Sequence, residues 1–305
     1  MLRLYTHSDA HRHLNPPGHP ERVERLHVVL DALDSVSLCR IDAPVADIAD
    51  ILRCHPQAYI DRLQAAVPAK GWAQIDGDTY LAPGSWGAAV RAVGGACAAV
   101  DDVMTNGGRA FVAMRPPGHH AERNTAMGFC LLGTVAIAAM RAIDVHGLTR
   151  VAVLDFDVHH GNGTQDLLWD EARVRFVSSH QMPLYPGSGA VHERGAHGQI
   201  TNLPLREGSD GDAMWAAWGP VLATLGTWRP ELVLISAGFD AHADDPLAGL
   251  RWTTDDFARL TRAIVGLADR TCAGRVVSCL EGGYDLDALA ASVAVHVSEL
   301  GRPLS

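Results

Sequence analysis

The chain has 305 residues, of which 48% are apolar and 20% charged, so it can bury a sizeable core and lacks the composition of a disordered segment. Its 35 acidic and 25 basic residues leave a net charge of −10. That argues against a dedicated nucleic-acid binder, which is normally basic on one face, and mildly favours a cationic substrate. The six cysteines form no C-x-x-C pair, so no disulfide framework or zinc knuckle is expected, only reduced and mostly buried thiols. No run approaches the roughly 18 apolar residues that span a membrane, and MLRLYTHSDAHRHL does not resemble a signal peptide. A cytoplasmic protein with no membrane contact is the expectation.

In chain order, Glu21–Leu33 places Val23, Leu26, Leu30 and Leu33 on one stripe, with Pro20 and Glu21 suited to the first turn of a helix. Ser85–Met104 is Ala-rich and helical in pattern. Ala110–Met114, Val151–Phe156, Val174–Val177, Leu232–Ile235 and Val276–Leu280 are short apolar runs without alternation, as expected of parallel strands covered on both faces. Thr254–Ala268 opens on a Thr-Thr-Asp-Asp segment that suits a helix cap. Strands alternating with helices predict an α/β fold with a parallel sheet. With no repeat and no linker, residues 1–305 read as a single domain.

Each predicted strand runs into a polar cluster. Ala110–Met114 leads to RPPGHH, Val151–Phe156 to DVHHGNG, Val174–Val177 to SSHQ, Leu232–Ile235 to SAGFDAH and Val276–Leu280 to EGGYD. In an open parallel sheet these carboxyl ends lie on one edge, where ligands bind. Asp157 and His159 leave one strand two residues apart, so both side chains are expected on one side. Asp240 can supply a third ligand, and one imidazole with two carboxylates suits Zn²⁺ or Fe²⁺ while leaving room for water and substrate. The adjacent His119 and His120, on a turn stiffened by prolines, suit an acid/base pair. Tyr284 can donate its phenol to a developing oxyanion, on a loop loosened by Gly282-Gly283.

Taken together and in this order, RPPGHHA, GFC, DFDVHHGNGT, YPGSG, SAGFDAH and EGGYD resemble the histone deacetylase family, and HPERVERL resembles its class II and bacterial branch. The resemblance runs from about His19 to Tyr284. It implies the arginase–deacetylase fold, a single mainly parallel sheet of about eight strands between helical layers. It also implies zinc on Asp157, His159 and Asp240, with His120 as general base and then acid, and His119 as an electrostatic partner oriented by Asp155. Tyr284 would polarise the acetyl carbonyl. Asn162 would orient His120, but cannot stabilise its cation by charge as an Asp would, so His120 should titrate low. Gly128, Phe129 and Tyr185 match the walls of a narrow substrate tunnel, and Asp78 loosely matches a rim loop. A structural potassium ion is implied near Asp155, Asp157, His159, Ser178 and Ser179. Leu131-Leu132-Gly133-Thr134 departs from the usual sequence after GFC and is expected to loosen packing there.

Two other readings fit the motifs less well. A dinuclear manganese ureohydrolase on the same fold needs bridging carboxylates where this chain has Gly161 and His242. A silent acetyl-ligand-binding module would have lost His120 or Tyr284, and both are present. Among deacetylases, relatives selective for acetylpolyamines carry a Glu after the third zinc ligand, where this chain has Leu247. This favours acetyl-lysine in proteins or peptides over a small acetylated amine, with Asp244 and Asp245 read as a solvated acidic turn. Some relatives assemble into homo-oligomers, and no helix of this chain marks such an interface.

Overall fold

The computed structural model of the chain describes residues 1–303. Strand β1 (Leu2–Thr6) is followed by a 3-10 turn (Ser8–Arg12), α1 (Glu24–Ala32), β2 (Leu38–Asp42), α2 (Ile48–Ile51) and α3 (Gln57–Ala66). A small hairpin of β3 (Ala73–Gln74) and β4 (Tyr80–Leu81) precedes α4 (Ser85–Asn106), β5 (Arg109–Val112) and α5 (Thr134–His146). The chain continues through β6 (Val151–Asp155), α6 (Asn162–Leu167), β7 (Val174–Gln181), β8 (Ile200–Leu205) and α7 (Gly211–Trp228). It ends with β9 (Leu232–Ala237), α8 (Thr254–Cys272), β10 (Val276–Leu280) and α9 (Leu286–Leu300).

Eight strands form one sheet in the order β2-β1-β5-β10-β9-β6-β7-β8, and every pairing in it is parallel. This is the expected α/β architecture of about eight strands flanked by helices. Every residue of β5, β6, β9 and β10 is buried, which is why their sequences show no alternation. β2, at the edge, is partly exposed, and its Leu38-Cys39-Arg40-Ile41-Asp42 sequence gave no strand signal. β1, β2 and β8 were not among the predicted strands. Five of the six cysteines are buried and all are free; Cys39, on the edge strand, is exposed.

Three boundaries differ for physical reasons. Helix α1 starts at Glu24, not Glu21. Glu21 lies in the preceding loop as a fully buried ion-pair partner of Arg25 and Arg115, a role that a first helical turn facing solvent would not allow. β7 runs on to Gln181 because β8 pairs with it as far as Leu205. Conversely, β6 ends at Asp155, so Asp157 and His159 lie in the bend beyond the strand rather than on it. The cap of α8 is a full capping box of Thr253 and Asp256.

The sheet order has a direct consequence. β5, β10, β9, β6 and β7 are five consecutive neighbours, and they are the five strands followed by polar clusters. Parallel pairing brings all five carboxyl-end loops to one edge, side by side.

Candidate active site

Asp157, His159 and Asp240 offer one ligand atom each within 4.8 Å of one another, and all three residues are largely or wholly buried. His159 Nδ1 lies 3.1 Å from Asp157 Oδ1 and 3.2 Å from Asp240 Oδ2. The carboxylates are further held by backbone: Gly282 N–H donates to Asp157 Oδ2 at 2.8 Å, and Val158 N–H to Asp240 Oδ1 at 2.8 Å. A Cβ on Gly282 would overlap Asp240 Oδ2 and lie 2.6 Å from Asp157 Oδ2, so only glycine allows this approach. Burial, and then the neighbouring Asp157, push Asp240 up to about 7. Two carboxylates and one imidazole packed out of water form a donor set that fits a borderline divalent cation.

The two histidines on the loop after β5 are electrostatically unlike. His119 Nδ1 is 3.0 Å from Asp155 Oδ2, and its Nε2 is 3.7 Å from Asp157 Oδ2. Burial opposes its charge, yet Asp157 and Asp155 together raise it well above the ordinary histidine value. His120, tilted beside it with ring centroids 4.0 Å apart, faces Asn162 Oδ1 at 2.7 Å from Nδ1. Burial, then His119 and His159, push His120 well below the ordinary value. Two adjacent imidazoles shifted in opposite directions give the separation of acid and base character that proton-transfer chemistry uses.

His120, His159 and Tyr284 reach one pocket of about 230 Å³, whose walls include Gly128, Phe129 and Tyr185, with Asp78 and Leu247 also in its lining. Gly128 (φ +55°) lies against the His120 ring, where a Cβ would come 2.7 Å from Cγ. Phe129 is itself at φ +68°, an unfavourable conformation for a side-chain-bearing residue, fixed in part by its N–H donating to Thr79 Oγ1 at 3.0 Å. Tyr284 is buried, its ring edge-on to Phe129 at 5.8 Å and covered by the Arg25 guanidinium at 4.8 Å. All the site residues expected from the sequence thus lie at one sheet edge. Ser178 and Ser179, on β7, lie next to the bend after β6, and Ser179 Oγ is buried with no hydrogen-bond partner among the described residues.

Two expectations are corrected. Asp245 is not part of a solvated acidic turn: it is 6% exposed and accepts from Leu247 N, Tyr284 N and Asp285 N, whereas Asp244 does point to solvent. Nor does Leu131-Leu132-Gly133-Thr134 loosen the packing. Leu131 and Leu132 are fully buried, and a Cβ on Gly118 would sit 2.8 Å from Leu132 O and Thr134 N.

Other contributors were not singled out from sequence. Glu281, buried and raised to about 7 chiefly by that burial, accepts from Gly118 N, His119 N and Ser236 Oγ, tying the loops after β5 and β10 to strand β9. Its only sequence signal is a carboxylate at the end of an apolar strand. Glu21, Arg25 and Arg115 form a buried charge cluster behind the pocket. Leu184 and Pro20 also line the pocket.

Comparison with known proteins gives this geometry a context. The Histone deacetylase domain family model matches residues 19–300. The chain belongs to the histone deacetylase family. Histone deacetylase 10, chloroplastic, of Oryza sativa subsp. japonica is 39% identical over 326 residues, covering 98% of this chain and 73% of that protein. The Histone deacetylase-like amidohydrolase of Pseudomonas aeruginosa is 39% identical over 284 residues, covering 89% of this chain and 74% of that protein. The crystal structure of the HDA15 HD domain superposes with a TM-score of 0.92 at 31% identity, covering 100% of this chain and 89% of that one. The fold is therefore that of the histone deacetylases, and the chain is a member of a deacetylase and amidohydrolase family.

Proposed function

We propose that this histone deacetylase family member is a zinc-dependent enzyme that hydrolyses the amide of N6-acetyl-lysine in peptides or proteins and releases acetate. The observation that carries the reading is the convergence of Asp157, His159 and Asp240 with His120 and buried Tyr284 at one pocket. Asp157, His159 and Asp240 would hold the ion. Bound there, a zinc ion would acidify a water and polarise an acetyl carbonyl.

The chain's own groups would do the rest. His120 is held neutral, and its Nδ1 is occupied by Asn162, which leaves Nε2 to take a proton from the attacking water and return it to the departing amine. His119, paired with Asp155, would supply positive charge close to the developing anion. The Tyr284 hydroxyl, kept protonated by burial, would donate to the oxygen of the acetyl group. Phe129 and Tyr185 would line the alkyl chain and keep water out. The orphaned Ser179 hydroxyl, next in the chain to the Ser178 that pairs with Asp155, supports a structural potassium ion in this region, with Ser178, Asp155, Asp157 and His159 as further ligand residues. With Asp244 in solvent and Asp245 occupied by backbone, Leu247 leaves no acid at that point of the rim for a distal ammonium, which favours acetyl-lysine over acetylpolyamines.

Amine release from acetyl-lysine peptides and acetylpolyamines, with and without a chelator, tests the reading. Chelator-sensitive cleavage of the peptides is expected. Preference for polyamines would overturn the substrate assignment, and cleavage that survives complete metal removal would overturn the zinc assignment. Tyr284→Phe is expected to fold normally and lose about 10²–10³-fold in kcat, the usual effect of removing one oxyanion donor. Turnover near that of the unmodified protein would refute its role.

A further inference from the structure

The loop after β10 presents a mechanical problem. Tyr284 must hold its hydroxyl in one place, yet it follows Gly282 and Gly283, the latter at φ +123°, so the local sequence offers the backbone many conformations. What restrains it comes from elsewhere in the chain. The Gly283 carbonyl and the Tyr284 N–H belong to one peptide plane. The carbonyl accepts from Arg25 Nε at 2.6 Å, while the N–H donates to Asp245 Oδ2 at 2.7 Å. A cation thus grips the negative end of this peptide dipole and an anion the positive end. Both side chains are buried, which strengthens each contact.

We infer that Asp245 is a positioning residue for Tyr284, pinning the Gly283–Tyr284 peptide against Arg25 and so fixing the direction of the phenol. The inference rests on the reading of Tyr284 as the group that donates to the acetyl oxygen. Backbone N–H groups take three of the roughly four acceptor positions of the buried Asp245 carboxylate. Oδ2 accepts from Tyr284 N and, at 3.4 Å, from Asp285 N, and Oδ1 accepts from Leu247 N at 3.0 Å. One carboxylate therefore links the rim residue Leu247 to Tyr284. Asp285 in turn caps α9 through Ala288 N, so the restraint passes into a rigid helix. Since a displacement of about 1 Å at a reacting group can cost on the order of 10²-fold in rate, such a clamp is worth a buried charge.

The experiment combines D245N with Y284F. Asparagine keeps one acceptor and turns the other toward a backbone N–H as a second donor, so the shared grip on Leu247 and Tyr284 cannot survive. D245N alone is expected to lower kcat on an acetyl-lysine peptide by about tenfold or more, bounded by the loss in Y284F. In the Y284F background the same change should lower kcat by less than about twofold, because there is no phenol left to misplace. An equal loss in both backgrounds, or kcat in D245N within about twofold of the unmodified protein, overturns the proposal, since a general structural role predicts additivity. Hydrogen exchange supplies a second readout: amides 284 and 285 should exchange on the order of tenfold faster in D245N, with α8 unaffected. If the unmodified protein cleaves no acetylated substrate, the functional reading fails and exchange alone judges the clamp; unchanged exchange at 284 and 285 refutes it.

Discussion

Replacing Asn162 with Asp would place a charge beside the neutral histidine of the site, and the structure says how to do it. Asn162 Oδ1 is 2.7 Å from His120 Nδ1, while its Nδ2 donates to Glu122 Oε1 at 2.7 Å. Asn162→Asp alone would set two carboxylates against each other at that second contact, so the informative variant also carries Glu122→Gln, which restores a donor. In the unmodified protein, burial and then His119 and His159 push His120 well below the ordinary histidine value. A carboxylate about 4 Å from the imidazolium contributes on the order of 4 kcal/mol at an effective dielectric of about 20. Partial solvation reduces this, and opposite charges at such range usually move a pKa by about one to three pH units. The sign is upward: the added anion stabilises His120 in its protonated form, so the base is lost at higher pH. The acidic limb of the kcat/KM profile, which reports the free enzyme, should rise by about one to three pH units in the double variant. An unmoved limb, in a protein whose thermal unfolding is unchanged, would mean that His120 is not the group that must be neutral.

Removing the Glu21 carboxylate as Glu21→Ala leaves Arg25, Arg115 and His13 buried without their partner, and a loss of about 3–5 kcal/mol is expected in denaturant unfolding; a loss below about 1 kcal/mol would show that the cluster relaxes into water. Gly282→Ala should reduce zinc retained after dialysis, because the new methyl overlaps Asp240 and crowds Asp157; an unchanged metal content refutes this. His296 is buried between Thr261 and Ser278, and burial pushes its pKa down from 6.5 to about 3. Between those values the unfolded chain binds a proton that the folded one does not, so stability falls as the pH drops below 6.5. At pH 5 the loss from this group is about 2 kcal/mol, which should be absent in His296→Gln when unfolding is compared at pH 7 and pH 5. Equal pH dependence in the two proteins would contradict the assignment.

Much of the site was legible because the signals are local. A short apolar run without alternation encodes burial on both faces, and a polar cluster at its end marks the ligand edge of a parallel sheet, so Asp157, His159, Asp240, His120 and Tyr284 stood out from residue type and position. The motifs, and the family they resemble, carried the tunnel residues Gly128, Phe129 and Tyr185. Strand ends were less legible, since β7 is extended by its pairing with β8 and not by its own sequence.

The sequence by itself determined the chemistry: which side chains leave the strand ends, and the α/β alternation that delivers them. Only the tertiary structure decided which strands lie side by side, and hence that five loops scattered from residue 113 to residue 285 are immediate neighbours along that edge. It also decided the partners of the buried charges. Glu21 meets Arg115 across 94 residues, and Asp245 meets the Tyr284 amide across 39. The physical reason is range. Periodicity and turn chemistry act over a few residues, whereas a buried ion's partner is set by the packing of the whole chain, which must bring an opposite charge or a donor to every charge it removes from water.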